Sequence, residues 1–349
     1  TYYGEAFALW LWTRFPDAGF KDAMEHALAA VLARDPDASH AHHEFNNLAL
    51  LHYFAATGDQ RALPPLAEMR VRDNHVPNWT FLRTYGHLLH NPTFGEERFN
   101  EGRLESNLRR LLAHEMRPYG LICDTRYLSE RHPIPCFDRP VGGMLNPIMH
   151  LLKRGASESA VEVLSAKLHI LVARSTSFMY HCFDLSSLCG ILSLTGWEVA
   201  EDALRRGVDF ISDFVLRNGD AIYIGRGQQQ LLAYGALIYS LSYAAARWGE
   251  ERYLAAAERA FRHVISHRRA DGTLPLIVRH GEQGWPDESG RAASPEHPGW
   301  YRYNNFYDDE PAIGLFLARA AEALRERPQL SAAALEGPEG LTVYGHEMA

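Results

Sequence analysis

Residues 299–324 read GWYRYNNFYDDEPAIGLFLARAAEAL, and this stretch joins a polar, aromatic loop to a helix. The loop half gathers aromatic rings, amides, an arginine and carboxylates, while residues 312–324 repeat apolar side chains at helical spacing. Sugar rings pack on aromatic faces, and their hydroxyls need a few fixed donors and acceptors. The stretch therefore predicts a sugar-binding loop at the start of a core helix. The alternative is a plain helix N-terminus at which Asp308 and Asp309 only complement the helix dipole.

The same helical period recurs along most of the chain, whereas the alternation typical of strands does not. Short links that contain glycine, such as Thr57-Gly58-Asp59 and Thr195-Gly196-Trp197, suit antiparallel helix neighbours. Long loops rich in aromatic residues, Pro, His or Arg alternate with these links. The predicted long loops are 72–102, 117–141 and 269–305, and the predicted helices are 2–13, 20–33, 43–56, 60–71, 103–116, 142–153, 157–172, 178–194, 198–216, 228–248, 251–267 and 311–325.

About twelve helices in consecutive antiparallel pairs predict an all-α fold, an (α/α)6-type toroid with long functional loops. We expect this toroid to be an incomplete barrel of helix pairs. No low-complexity linker interrupts the chain, so residues 1–327 are predicted to form one catalytic domain and residues 328–349 a peripheral C-terminal extension. A helical solenoid would need a fixed sequence period, and the chain has none.

The composition narrows the possible functions. With a net charge of -8 over 349 residues and no block of Lys or Arg, the chain is unsuited to binding nucleic acid. No run approaches the roughly 20 apolar residues that span a bilayer, so no membrane span is expected. His40, His42 and His43 match no common zinc spacing, so no metal is expected, and no cofactor is expected either. The sequence does not determine the oligomeric state.

Two stretches place polar side chains where a substrate carboxylate or sugar could meet them. In the stretch HHEFNN, His43 lies three and four residues before Asn46 and Asn47, so one helix face can hold a carboxylate. The alternative there is a capped helix with surface histidines. In a later stretch Tyr85 and His87 are candidate substrate contacts, although histidines of this kind also occur as core residues bonded to backbone carbonyls.

Two further stretches suggest acid–base and anion-binding groups. In YHCFD, Tyr180 and Asp184 are four residues apart with His181 beside Tyr180, which predicts a general acid or base at the mouth of the toroid. A core hydrogen bond between the Tyr and the Asp explains the same pair. In GRGQQQ the two glycines let the backbone turn around Arg226, which is then placed to bind an anion, and Gln229 follows at helical spacing.

The stretches HHEFNN, YHCFD, GRGQQQ and WYRYNNFYDDEP, together with the paired helices, resemble the α/α-toroid polysaccharide lyases that cleave uronate-containing glycans, such as alginate, glucuronan and chondroitin lyases. The resemblance covers most of the chain as architecture, and its motifs are loose. It implies a carbon–oxygen lyase that cleaves an acidic polysaccharide or oligosaccharide by β-elimination, in the periplasm or secreted. The Asn-Asn-His order of alginate lyases is absent, because Leu48 follows Asn47.

The resemblance also implies roles for individual residues. Removal of the C5 proton of a uronate gives an enolate with double negative charge, so donors aimed at the carboxylate matter most. His43 or His181 would act as the base. Tyr301 or Tyr303 would protonate the departing oxygen, and Asn46 or Asn47 together with Arg226 would neutralise the carboxylate. The other implied substrate contacts are His42, Asn46, Asn47, Tyr85, His87, Tyr180, Gln229, Trp300, Arg302, Asn304, Asn305, Tyr307 and Asp308.

Two other functions fit the same residues. A glycoside hydrolase on this toroid, similar to unsaturated uronyl hydrolases, would use a pair of carboxylates, with Asp184 and one of Asp308, Asp309 or Glu310 as candidates. A noncatalytic glycan-binding protein would use the aromatic and polar loops without any acid–base pair. Analogy of fold does not choose among the three functions.

Overall fold

The computed structural model describes residues 3–15, 21–33, 43–69, 77–129, 170–175, 177–222, 230–275, 278, 306–325, 341–343 and 346–348. Six helices of this part form an inner layer: α1 (Gly4–Trp12), α3 (His43–Thr57), α5 (Pro77–Phe94), α7 (Phe178–Thr195), α9 (Gln230–Trp248) and α11 (Phe306–Arg325). Outside them lie α2 (Lys21–Leu32), α6 (Glu101–Glu115), α8 (Glu198–Ser212) and α10 (Glu251–Ser266). A 3₁₀ turn, Gln60–Ala62, leads into the short helix α4, Leu63–Ala67.

The inner helices close into a ring, because each one packs on the inner helices before and after it in the chain and α11 packs back on α1. The helix α7 is buried around its whole circumference, as an inner helix must be. Neighbouring inner helices run parallel. The pair α1 and α3 shows this direction. Tyr3, just before α1, lies 5.2 Å from Phe45 near the start of α3 between ring centroids, and farther along both helices Trp10 stacks on His52 at 4.3 Å. The chain therefore has the predicted α/α-toroid fold.

The short glycine links between helices are confirmed where the structure describes them. Gly58 and Gly196 have φ angles of 69° and 66°, and the amide of each donates to the carbonyl four residues earlier, which closes the last turn of the preceding helix. Gly249 does the same between α9 and α10, with a φ of 72°. The third predicted link, at residues 154–156, lies outside the described residues.

A tight hairpin repeats at the ends of α6, α8 and α10. Each hairpin has a glycine at positive φ, Gly120 at 102°, Gly219 at 84° and Gly272 at 93°, and is closed by two backbone hydrogen bonds of between 2.8 and 3.0 Å. Two of these glycines touch the next outer helix. A Cβ on Gly120 would lie 2.2 Å from the Arg206 carbonyl oxygen, and one on Gly219 would lie 2.0 Å from that of Arg259. The hairpins therefore join successive outer helices by direct backbone contact.

The structure corrects the predicted loop at 72–102, because 77–94 of it is the helix α5. Its buried Phe81, Tyr85 and Leu88 follow the helical spacing, but the polar residues between them and Pro92 suggest a loop. Packing on α3 and α7 stabilises this helix in spite of Pro92. The predicted helix 60–71 is instead the 3₁₀ turn and α4, with prolines at 64 and 65.

Helix α11 also begins earlier than predicted, at Phe306 rather than at Pro311, which lies inside the helix. A proline usually marks the first turn, since it has no N–H to donate. Here contacts from other elements hold the extra turn. The hydroxyl of Tyr3 donates to Asp309 Oδ1 at 2.9 Å, and the amide of Leu274 donates to Glu310 Oε1 at 3.2 Å.

Two short antiparallel ladders also differ from the prediction. Strand β1, Asp124–Ser129, pairs with β2, Ile170–Ser175, although residues 117–141 were expected to be a loop and 157–172 a helix. Such pairing depends on a partner more than 40 residues away, which no local pattern reveals. Strands β3, Leu341–Val343, and β4, His346–Met348, form a second ladder. The predicted helix 142–153 lies outside the described residues. None of the described helices has the length and apolarity needed to cross a membrane.

We expect Gly219→Ala to destabilise the protein far more than Gly58→Ala. Both glycines have positive φ, which costs an alanine about 1–2 kcal/mol. A Cβ on Gly58 meets nothing within 4 Å, whereas one on Gly219 collides with the backbone of α10 and forces the two outer helices apart. Urea unfolding followed by circular dichroism measures both variants. Equal losses would contradict the proposed backbone contact between α8 and α10.

Candidate functional site

The N-terminal ends of the six inner helices meet at one end of the ring, because these helices are parallel. We call this end the rim and define it by Tyr3, Glu44, Arg83, Asp184 and Asp309. Four of these residues lie within the first two turns of an inner helix, and Tyr3 immediately precedes α1. Two direct contacts link four of these residues across neighbouring helices: Tyr3 with Asp309 and Arg83 with Glu44. The rim thus combines carboxylates, a guanidinium and a phenol.

The carboxylates of the rim are buried. Asp309 is 0 % exposed and Asp184 2 % exposed, and Glu44 is 8 % exposed. Ionised carboxylates in the first turns of a helix interact favourably with its N-terminal dipole, by about 0.3–1 kcal/mol at the surface and up to about 2 kcal/mol when partly buried. Because charged groups are otherwise costly to bury, three carboxylates at one end of a barrel mark a candidate site for acid–base chemistry.

The hydrogen bond between Tyr3 and Asp309 gives one carboxylate a fixed orientation. The phenol donates to Asp309 Oδ1 at 2.9 Å, and a donor to a carboxylate favours its ionised form. The Tyr3 ring is itself held by Phe7, edge-on at 5.5 Å, and by Phe45 at 5.2 Å. Tyr3 therefore holds Asp309 Oδ1 in a fixed direction near the start of α11.

The Arg83–Glu44 ion pair links α5 to α3 at the rim. Two nitrogens of the guanidinium donate to one oxygen: Nε donates to Glu44 Oε1 at 3.2 Å and Nη2 donates to the same atom at 2.6 Å. The two side chains are 10 % and 8 % exposed. A charge-assisted bond in so buried a place is stronger than its surface counterpart, so this pair fixes the Glu44 carboxylate.

A cluster of four phenylalanines, the aromatic plug, fills the axis of the ring below the rim. Its members come from α1, α3, α7 and α11. Phe7 lies 5.1 Å from Phe45 and 6.1 Å from Phe316, while Phe183 lies 5.7 Å from Phe45 and 6.4 Å from Phe316. Because helices that are not neighbours in the ring meet here, the plug closes the barrel in its N-terminal half.

A second group of polar and aromatic side chains, the lower polar layer, lies in the C-terminal half of the ring. It consists of Trp10, His52, Tyr85, Tyr239 and Arg319. The Arg319 guanidinium lies 4.9, 5.8 and 4.1 Å from the Trp10, Tyr85 and Tyr239 ring centroids, and its Nη2 donates to Tyr239 Oη at 2.7 Å. Within the described part of the chain no carboxylate pairs with it, so aromatic faces stabilise this buried cation.

Tyr85, a predicted substrate contact, therefore lies below the plug and away from the rim. Its hydroxyl is 3.3 Å from His52 Nε2, and its ring packs so closely on α7 that a Cβ on Gly190 would lie 2.6 Å from it. Burial lowers the pKa of His52 well below its usual value, and the cations of Arg14 and Arg319 lower it further. The layer is thus a packed interior with a neutral imidazole beside a cation.

His181, a predicted base, points away from the ring. Its Nδ1 accepts the Ile122 amide at 3.2 Å, its ring meets Phe210 of α8 edge-on at 5.4 Å, and it is 0 % exposed. Burial lowers the pKa of His181 to about 3, against a smaller opposing effect of the Gly207 backbone. The His181 side chain faces α8 in the outer layer rather than the interior of the ring, so these contacts argue against a catalytic role for His181.

The remaining described candidates divide between the rim and the outer layer. His43, Asn46 and Asn47 lie in the first two turns of α3, and Asn46 is buried. Tyr180 lies in the first turn of α7, half-buried against the core. His87 instead stacks on Phe99 at 3.9 Å between α5 and α6, which makes it a packing residue rather than a substrate contact.

Several predicted site residues lie outside the described part of the chain, and their roles stay predictions. These are His42, Arg226, Gln229, Trp300, Tyr301, Arg302, Tyr303, Asn304 and Asn305. Tyr307 and Asp308 belong to the first turn of α11, which places them at the rim end of that helix.

Three rim residues were missed as candidates from the sequence: Tyr3, Glu44 and Arg83. Glu44 stands inside HHEFNN, so its position at a helix start was a usable signal. Arg83 lies in a stretch that looks like a loop, and Tyr3 is separated from Asp309 by 306 residues. Neither residue carries a local signal for its contact, because ring closure alone brings these helices together.

We expect the protein to lose stability as the pH falls from 6.5 toward 3, in part because of His181. The unfolded imidazole has a pKa near 6.5 and the folded one a pKa of about 3, so in this window only the unfolded state gains a proton. This group alone should contribute about 1.4 kcal/mol per pH unit. Urea unfolding at several pH values measures the slope.

His181→Gln provides the variant for this measurement, since an amide oxygen can still accept the Ile122 amide but does not titrate. We expect a shallower slope, with a remainder from His52 and His90, whose pKa values burial also lowers. His26→Gln on the exposed face of α2 is the matched control and should keep the wild-type slope. An unchanged slope in His181→Gln would overturn the assignment.

No protein-family model matches the sequence, and no curated protein matches it significantly. Solved structures do match. The Lin0763 protein from Listeria innocua superposes with a TM-score of 0.61 at 10% identity, over 94% of this chain and 86% of that chain. Cellobiose 2-epimerase from Spirochaeta thermophila superposes with a TM-score of 0.55 at 13% identity, over 93% of this chain and 86% of that chain. A family 76 glycoside hydrolase (mannosidase) from Bacteroides thetaiotaomicron superposes with a TM-score of 0.54 at 11% identity, over 93% of this chain and 88% of that chain. This chain shares their α/α-toroid fold.

Proposed function

We propose that the protein is an enzyme that acts on carbohydrates, with its active site at the rim. Two of the solved structures with this fold are named as a glycoside hydrolase and a sugar epimerase, which supports a carbohydrate substrate by analogy. The observation that carries the proposal is the set of buried carboxylates in the first two turns of α3, α7 and α11. Such groups are suited to moving protons at a sugar and poorly suited to a purely structural role.

The reaction that the rim supports best is glycoside hydrolysis. Asp309 accepts a hydrogen bond from Tyr3 and lies in the first turn of α11, so it is the candidate for the ionised partner, as base or nucleophile. Asp184, in the second turn of α7, is the candidate acid that protonates the leaving oxygen. This pair corresponds to the carboxylates that the hydrolase hypothesis selected from the sequence.

β-Elimination from a uronate is the second candidate, supported by His43 and Asn46 at the same end of the ring. It ranks below hydrolysis for two reasons. His181 is buried away from the rim, and Arg83 already pairs with Glu44. A lyase of this kind would therefore depend on Arg226, Tyr301 or Tyr303, whose roles stay predictions. An acidic polysaccharide substrate and a periplasmic or secreted location belong to this second proposal.

A screen of neutral and acidic glycans tests the proposal. We expect new reducing ends without the ultraviolet absorbance of a 4,5-unsaturated uronate. Absorbance that rises together with new ends would establish β-elimination and replace hydrolysis. Binding without either signal would favour a noncatalytic glycan-binding protein and reject the proposed enzyme.

Single substitutions at the rim test the carboxylate roles. We expect Asp309→Asn and Asp184→Asn each to lower kcat by about 100-fold to 10,000-fold, the usual contribution of a general acid or base. Asp213→Asn on an exposed position of the chain is the matched control, and His181→Gln should also keep wild-type turnover. Full activity in folded Asp309→Asn would remove this residue from the reaction.

A further inference from the structure

The Glu44 carboxylate has one oxygen, Oε2, that takes part in no hydrogen bond with the described residues. Two donors of Arg83, Nε and Nη2, reach Oε1 at 3.2 and 2.6 Å, while the buried Oε2 accepts no hydrogen bond within the described part of the chain. An arginine and a carboxylate that serve only to link two helices usually form two parallel bonds, one to each oxygen. Leaving a buried charged oxygen without a donor costs free energy, so this arrangement calls for an explanation.

The position of Glu44 supplies that explanation. It lies in the first turn of α3, next to Phe45, whose ring belongs to the aromatic plug and contacts Tyr3 at 5.2 Å. Tyr3 in turn bonds to Asp309. The unused oxygen is therefore at the same end of the ring as the two carboxylates proposed to act on the glycosidic bond.

We propose that Glu44 is a substrate-binding residue whose Oε2 accepts a hydrogen bond from a sugar hydroxyl. Arg83 is a positioning residue, since its Nε and Nη2 donate to Oε1 and leave Oε2 turned away from the guanidinium. A carboxylate on the sugar at this place would face the Glu44 charge, whereas a hydroxyl would satisfy it. The inference rests on the proposed function and narrows it: the subsite beside Glu44 takes a neutral sugar.

Kinetics with Glu44→Gln test this assignment. The probes are manno-oligosaccharides and cello-oligosaccharides as neutral substrates and oligogalacturonate as the charged one. We expect wild-type protein to prefer a neutral probe. Glu44→Gln should raise KM for that probe by about tenfold to a hundredfold, as expected for losing a hydrogen bond to a charged group. It should also lower the ratio of kcat/KM for the neutral probe to kcat/KM for oligogalacturonate. Glu25→Gln, in the exposed ion pair with Arg61, is the matched control and should change neither value.

A double variant separates substrate binding from structural support. Glu44→Leu together with Arg83→Leu replaces a buried ion pair by apolar side chains, which usually preserves folding. If Glu44 binds substrate, the double variant is as impaired as Glu44→Gln although its urea unfolding matches wild type. If the pair only links α3 and α5, the double variant recovers wild-type KM, and the inference is rejected.

The two proposals fail in different ways. An active wild-type protein whose KM and preference are unchanged by Glu44→Gln overturns the role of Glu44 and leaves the enzyme proposal intact. A wild-type protein that cleaves oligogalacturonate in preference to every neutral probe also overturns the inference. A wild-type protein that turns over none of the probes rejects the proposed function and, with it, the subsite.

Discussion

The parallel arrangement of the six inner helices is the constraint on which the rest of this structure depends. It gathers six helix N-termini at one end of the ring and six C-termini at the other. Carboxylates are stabilised near N-termini and cations toward C-termini. The distribution of buried charge follows this polarity, with Glu44, Asp184 and Asp309 in the first turns and Arg319 in the opposite half. The parallel arrangement of the inner helices therefore accounts for the location of buried charges, both at the proposed site and in the packed interior.

The aromatic plug separates those two environments. Toward the rim, the phenol of Tyr3 donates to Asp309, and the guanidinium of Arg83 pairs with Glu44. Below the plug, the guanidinium of Arg319 is surrounded by aromatic rings beside the neutral His52. The four phenylalanines therefore lie between Arg319 and the start of the inner helices, where Glu44 and Asp309 are found.

Local sequence patterns predicted the helices that have a regular apolar period. They failed for segments whose structure depends on tertiary contacts. The helix α7 was predicted to within one residue at its end, because an apolar helical period and a terminal glycine define it. The helix α5 was missed, because Pro92 and its polar residues resemble a loop until α3 and α7 pack on it. His181 illustrates the same limit at the site. Its sequence neighbours Tyr180 and Asp184 suggested a catalytic group, but helix rotation turns it outward against α8.

The sequence by itself determined that this chain forms paired helices, and therefore a toroid, since helical period and glycine links depend only on neighbouring residues. It also identified Asp184 and Asp309 among the carboxylates worth testing. Only the tertiary structure decided which candidates meet. Tyr3 reaches Asp309 across 306 residues because the ring closes α11 on α1, and Arg83 reaches Glu44 because α5 lies beside α3. Contacts of this kind depend on how whole helices pack against each other. The spacing of residues within one segment does not predict that packing.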